Sequence, residues 1–119
     1  MDERLEKALQ FSNYMTTLNN QKRILKEKYF ENLLYFSHGC QFTVTKELIT
    51  FVGMLISNGN DTDIVLTDDN DTPAKIENLN LFYDEILDVY FTASNSYHSE
   101  YTMLKKNRTT EKLVEHEQQ

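Results

Sequence analysis

Apolar residues recur every three or four positions along the first third of the chain, which is the spacing of an amphipathic helix. No proline or glycine interrupts the pattern before Gly39, so it predicts one long helix over residues 2–37, with Gly39 as its C-cap. Residues 19–23 (NNQKR) contain no apolar side chain and are either a solvated stretch of this helix or the junction of two shorter ones. A second, short helix is predicted after the N-cap Thr45, ending at Asn58-Gly59. It is apolar on most sides, so we expect it to be the most buried element.

The helical period breaks over residues 61–77. Residues 64–67 (IVLT) are β-prone, residues 68–71 (DDND) have the composition of a turn, and residues 73–76 (PAKI) return as a partner strand. Proline cannot donate a ladder hydrogen bond, so Pro73 fits an edge position. This segment predicts a small β-hairpin.

Asn78 is a suitable N-cap for a long last helix that carries two apolar lines. The first line holds the spacing of a core stripe and contains Leu79, Phe82, Ile86, Val89, Ala93, Ser96, Glu100 and Met103. The second line lies roughly 100° further round the helix and contains Tyr83, Leu87, Tyr90, Tyr97, Tyr101 and Leu104. Since one line is enough to fold the helix, the second is predicted to be an oligomer or partner interface. The alternative is that its tyrosines cover the edge of the protomer's own core.

These elements predict a mainly α protein, with two long antiparallel helices and, between them, a short buried helix and a small β-hairpin. We expect a single helical-hairpin domain over residues 1–110, with the β-hairpin insert near 61–77, and a disordered tail over residues 111–119. If residue 37 lies opposite residue 78, positions whose numbers add to roughly 115 face each other. The basic residues between Lys22 and Lys28 would then lie near the acids between Asp84 and Asp88.

Charge is distributed unevenly along the chain, which has 12 basic and 19 acidic residues and a net charge of −7. Residues 61–100 contain ten acids and one base, Lys75, and so hold −9. An acidic chain without an arginine-rich or RNA-reading motif is not expected to bind nucleic acid directly. No apolar run approaches the roughly 20 residues that span a bilayer, and the charged N-terminus is unlike a secretory signal. We therefore expect no membrane association.

Candidate chemistry is sparse. The lone Cys40 excludes an internal disulfide, and its neighbour His38 lacks an evident third group that would orient a nucleophile–base pair. A calcium loop beginning at Asp61 or Asp69 would lack the glycine and the glutamate that an EF-hand requires. No phosphate-binding glycine loop or hydrolase motif is present. We expect no catalytic residue, no metal and no cofactor, and so a protein that is not an enzyme.

Residues 41–51 (QFTVTKELITF) and 68–73 (DDNDTP) resemble segments of small uncharacterised proteins of T4-like marine phages, as do the opening MDERL and the chain length. The abundance of Asn, Lys, Tyr, Phe and Ile fits an AT-rich genome. The resemblance implies a phage context, in the host cytoplasm or in the virion, and carries no activity or site residue. The expected function is that of a non-enzymatic assembly or interaction protein, acting as a helical homo-oligomer. The alternative is an acidic regulator that binds a basic site on a host protein, in competition with nucleic acid.

Overall fold

The computed structural model describes the backbone of residues 2–117 and the side chains of residues 2–107. The elements in chain order are α1 (Glu3–Asn32), β1 (Leu34–Ser37), β2 (Cys40–Thr43), α2 (Lys46–Ser57), β3 (Thr62–Thr67), β4 (Pro73–Asn78) and α3 (Leu79–Glu117). The prediction of a mainly helical protein is confirmed. The predicted layout is wrong in part, because two antiparallel hairpins, not one, lie between the long helices.

The first hairpin occupies residues that were predicted to end the first helix. Helix α1 is continuous through residues 19–23 but ends at Asn32, and residues 34–37 pair with residues 40–43. The two turn residues, His38 and Gly39, have φ values of 56° and 71°. Positive φ at both positions is the signature of a type I′ turn, whose twist matches that of the flanking strands. Gly39 is therefore a hairpin residue and not a helix C-cap.

Helix α2 begins and ends where the sequence predicts. The Thr45 side chain accepts a hydrogen bond from the Leu48 N–H at 3.1 Å, and the helix ends at Asn58. The prediction that α2 is the most buried element is wrong, since Val52 is its one buried residue. Phe51 and Met54 on its outer face are 47% and 51% exposed.

The second hairpin confirms the prediction for residues 61–77. Strands β3 and β4 pair antiparallel from Thr67↔Pro73 to Thr62↔Asn78, and Pro73 is the first residue of its strand. Helix α3 follows at once, and the Asn78 side chain accepts a hydrogen bond from the Leu81 N–H at 3.1 Å, as an N-cap does. The predicted tail at 111–119 lies outside the residues whose side chains are described, and its disorder stays a prediction.

The chain divides into two compact units, of which one is Tyr29–Asn95. Its core joins both hairpins, α2 and the first part of α3. Phe82 is at the centre, with its ring in edge contact with Phe42 at 5.3 Å and Tyr35 at 5.8 Å between centroids. The fully buried side chains are Phe42, Val44, Val52, Ile76, Leu79, Phe82 and Ile86. The prediction of a single domain over residues 1–110 stays a prediction.

The other unit contains α1 up to Lys28 and α3 from Ser96 onward. Within it, the Lys28 Nζ lies 2.7 Å from Glu100 Oε1, and the Lys22 ammonium lies 5.7 Å from the centre of the Tyr101 ring. The predicted register placed Lys28 opposite residue 87, near Asp88, and is therefore wrong. It was counted from a helix end at residue 37, and the residues after Asn32 form β1 instead.

Candidate functional site

The first half of the tyrosine line lies within the unit Tyr29–Asn95. Tyr83, Leu87 and Tyr90 are half-buried, and the two tyrosines pack against the core of this unit. Tyr83 also explains a glycine inside helix α2, because a Cβ added at Gly53 would lie 3.3 Å from the tyrosine oxygen. These placements favour the core-edge explanation for Tyr83 and Tyr90. The interface prediction for the line remains untested.

The second half of the line lies in the other unit. Tyr97, Tyr101 and Leu104 are half-buried, and the two tyrosine rings meet nearly perpendicular at 6.3 Å between centroids. Lys22 of α1 lies over Tyr101, which is a cation–π contact. Residues of both apolar lines of α3 therefore have neighbours within the chain. The interface prediction assumed that one line is enough to fold the helix, and these contacts do not support that assumption.

Many large apolar side chains of the described residues are exposed. Among the described residues, thirteen large hydrophobics are exposed, against twelve buried hydrophobic residues. The exposed ones are Leu5, Leu9, Phe11, Met15, Ile24, Phe30, Phe36, Phe51, Met54, Val65, Leu81, Phe91 and Met103. Five of the chain's seven phenylalanines are in this set, and Phe42 and Phe82 are the two that are buried. Sequence periodicity missed this feature, since it assigns apolar residues to a core by default.

The acidic run at residues 68–71 closes the edge of strand β2. The Asp69 backbone N–H donates to the Gln41 carbonyl at 2.9 Å, and its carboxylate accepts from the N–H and hydroxyl of Thr43 at 2.9 and 2.6 Å. The buried Asp68 carboxylate accepts from the backbone N–H groups of Gln41, Asn70 and Thr72. The two carboxylates take the place of a neighbouring strand, so these acids connect the two hairpins.

This hydrogen bonding determines the pKa of both carboxyls. Hydrogen bonds, above all that from the Thr72 backbone, hold the pKa of Asp68 below its ordinary value even though burial acts to raise it. Burial also raises the pKa of Asp69, but the hydrogen bonds from Thr43 and Gln41 outweigh it and the net pKa is lowered. Among the described residues, no group of three or more His, Cys, Asp or Glu side chains is arranged to hold a metal ion.

The His38–Cys40 pair has no geometry for nucleophilic catalysis. The exposed His38 shares a hydrogen bond with the Ser37 hydroxyl at 2.7 Å, whereas Cys40 is buried. Burial raises the pKa of the Cys40 thiol, and the negative charge of Asp68 and a hydrogen bond to it raise that pKa further. A thiol that stays protonated is a poor nucleophile.

Negative charge is concentrated in the unit Tyr29–Asn95. This segment has two basic and eleven acidic residues, a net charge of −9, and the rest of the chain has ten basic and eight acidic residues, a net charge of +2. All of the eleven acids except Asp61 and Asp68 are exposed. An acidic outer surface is therefore a property of this unit and not of the whole chain.

No family model, curated protein or solved structure matches this chain. In the part of the chain that the structure describes, no helix is both long and apolar enough to span a membrane.

Proposed function

We propose that this chain is a non-enzymatic interaction protein that works in assembly as a homo-oligomer, in a phage context. The observation that carries the proposal is the exposure of five of seven phenylalanines. Single exposed apolar residues are ordinary on a protein surface. Here, however, thirteen large hydrophobic side chains are exposed among the described residues, about as many as the twelve hydrophobic residues that are buried.

These phenylalanine side chains leave a large apolar surface in water. A phenylalanine that is half exposed leaves roughly 100 Å² of apolar surface in water, which corresponds to about 2.5 kcal/mol at about 25 cal/mol per Å². Covering a few such side chains would offset much of the entropic cost of association. Where such side chains adjoin one another, a contiguous apolar patch of several hundred Å² marks a protein–protein interaction site.

The assembly surface is expected among the exposed phenylalanines more than along the tyrosine line. Tyr83 and Tyr90 already contact the core of the protomer, so they have less surface to offer a partner. Phe36, Phe51 and Phe91 belong to the same unit and are 69%, 47% and 55% exposed. Phenylalanine is among the residues enriched at protein interfaces relative to the rest of the surface.

Sedimentation velocity from about 1 to 100 μM, where weak interfaces form, tests the proposal. The expected result is a mass that rises with concentration to a multiple of the 14.1 kDa protomer. A mass of 14.1 kDa over the whole range would refute self-association.

A second function is favoured by a separate observation, the net charge of −9 on the unit Tyr29–Asn95. Such a surface suits an acidic regulator that binds a basic site on another protein. An oligolysine peptide is a suitable probe, with an oligomer of serine and glycine as control. Binding should weaken steeply as salt is raised from about 50 to 500 mM, whereas association through apolar surface should not. Equal binding of the two peptides would exclude this second function.

A further inference from the structure

The outer edge of strand β1 is open. In the β1–β2 hairpin, Ser37↔Cys40 and Tyr35↔Phe42 are the pairs that exchange backbone hydrogen bonds, as the two-residue turn requires. The N–H and C=O groups of Leu34 and Phe36 therefore point away from β2. No other hydrogen bond among the described residues reaches these groups.

The same alternation is visible on the opposite side of the hairpin. Gln41 and Thr43 of β2 also point their backbone groups outward, and the Asp68–Asp69 loop binds them at 2.9 to 3.2 Å. Strand β2 is thus closed to any further strand, and β1 is not.

The second hairpin carries features that protect strand edges. Strand β4 begins with Pro73 and contains Lys75 and Glu77, and β3 is interrupted by Asp63, whose φ is 55°. Proline, charge and local distortion are the devices by which proteins prevent edge pairing. Strand β1 has the sequence LYFS, without charge, proline or glycine, and its Phe36 is 69% exposed.

We infer that β1 is the pairing site for β1 of a second copy of this chain, which would form a four-stranded antiparallel sheet in the order β2–β1–β1–β2. This inference rests on the proposed self-association and gives it a location. In the favoured register, Leu34 of each copy lies opposite Phe36 of the other. Each of these two residue pairs exchanges two backbone hydrogen bonds, so four hydrogen bonds form across the two-fold axis. The Phe36 side chain then lies beside Leu34 of the second copy on the outer face of the sheet.

A second copy is favoured as the occupant for two reasons. An uncharged antiparallel strand is complementary to itself about a two-fold axis. Two units that each carry −9 repel one another, so two copies would have to pair where acids are few. Strand β1 contains no charged residue, and the carboxylate bound to its Tyr35 is that of Glu85 on α3. Because four residues form a small contact, we expect weak association, in the micromolar range.

The test compares the wild type with Phe36→Lys and Phe51→Lys. Both substitutions replace an exposed phenylalanine of the same unit and raise the net charge equally, but Phe51 lies on helix α2. Sedimentation velocity at rising concentration should show association for the wild type and Phe51→Lys, and a 14.1 kDa monomer for Phe36→Lys. Far-UV circular dichroism verifies that each variant is folded.

Amide hydrogen exchange of the wild type gives a second measurement that needs no variant. The Leu34 and Phe36 amides should exchange about tenfold more slowly once most of the protein is associated, whereas those of Gln41 and Thr43 should be protected at every concentration. The inference is overturned if Phe36→Lys still associates like the wild type, or if exchange at Leu34 and Phe36 is independent of concentration. If either outcome is found and the wild type is oligomeric, the pairing of β1 is refuted but the proposed self-association is not. A wild type that is monomeric at every concentration refutes both the self-association and the pairing of β1.

Discussion

The tyrosine line can be assigned to the protomer or to an interface by comparing two substitutions in α3. Phe82 is 2% exposed and its ring contacts those of Tyr35 and Phe42. Tyr90 is half-buried at the edge of the same core. The perturbations are Phe82→Ala, as the reference for a full core truncation, and Tyr90→Ser.

The expected magnitudes differ by about a factor of two. Removal of a fully buried phenylalanine side chain costs about 3–5 kcal/mol, and the loss of two edge-to-face ring contacts places Phe82→Ala near the upper end of that range. Tyr90 covers the core with about half of its surface, so Tyr90→Ser should cost about half as much, roughly 1.5–2.5 kcal/mol. Against a total stability of about 5–15 kcal/mol, Tyr90→Ser should remain folded and Phe82→Ala should be close to unfolding.

Urea denaturation followed by far-UV circular dichroism measures both changes, and sedimentation velocity measures the mass of the same samples. If Tyr90 belongs to the protomer, Tyr90→Ser lowers the urea midpoint and leaves the concentration dependence of the mass unchanged. If instead Tyr90→Ser dissociates the protein while the midpoint of the dilute monomer stays constant, the tyrosine line is the interface and the core-edge assignment is wrong.

Three further predictions concern the unit Tyr29–Asn95. Asp68 and Asp69 have lowered pKa values in the folded protein, so their ionised forms stabilise the fold. This contribution to the free energy of unfolding is complete above the ordinary carboxyl pKa of about 3.9 and is lost as the pH falls below it. The thermal midpoint should therefore fall on acidification, and less so in the double Asp→Asn variant. Cys40, a buried thiol with a raised pKa, should react with a disulfide reagent at pH 8 much more slowly in the native protein than in urea, and equal rates would contradict its burial. Thr45→Ala removes the cap on the Leu48 N–H and should cost about 1 kcal/mol in urea denaturation, with Thr45→Ser close to wild type.

Short-range chemistry was sufficient to predict several elements from the sequence. Thr45 and Asn78 cap the helices that they were expected to cap, because an oxygen at that position satisfies a backbone N–H whatever the rest of the fold does. The second hairpin was predictable for a similar reason, since β-branched residues on either side of an Asp-rich turn with Pro73 leave few other conformations.

The first hairpin was not predictable from periodicity. Residues 33–36 (LLYF) continue the spacing of α1, and a short apolar run does not distinguish a buried helix from a strand. The strand is stabilised by partners distant in sequence, because its neighbour β2 is bound by Asp68 and Asp69, and Tyr35 packs on Phe82 and donates to Glu85. The error in the helix end then propagated to the register between α1 and α3.

The interface prediction depended on counting apolar lines on α3 and had no information on how many elements would cover them. Helix α2 approaches Tyr83 closely because Gly53 has no side chain, a contact that no spacing in α3 indicates. The apolar pattern of a single helix indicates how many of its faces are apolar. Whether another element of the same chain or a second molecule covers each face is determined by the fold.

The acidity of the unit Tyr29–Asn95 would also restrict where two copies could meet in the proposed oligomer. Carboxylates at Asp68 and Asp69 close the edge of β2 by replacing a strand, and nine of the unit's eleven acids are exposed. Like charges brought together at an interface cost more than the apolar contact between a few side chains returns, unless the acids lie away from the contact. Strand β1 and the outer face of α2 carry two of the unit's exposed phenylalanines, Phe36 and Phe51, and few charged residues, so both are candidate surfaces for apolar association. Of the two surfaces, only β1 has backbone N–H and C=O groups without a hydrogen-bond partner in the described part of the chain. If association depends on strand pairing, Phe36→Lys should abolish it and Phe51→Lys should not, whereas a general affinity of exposed aromatic side chains would be weakened by both substitutions.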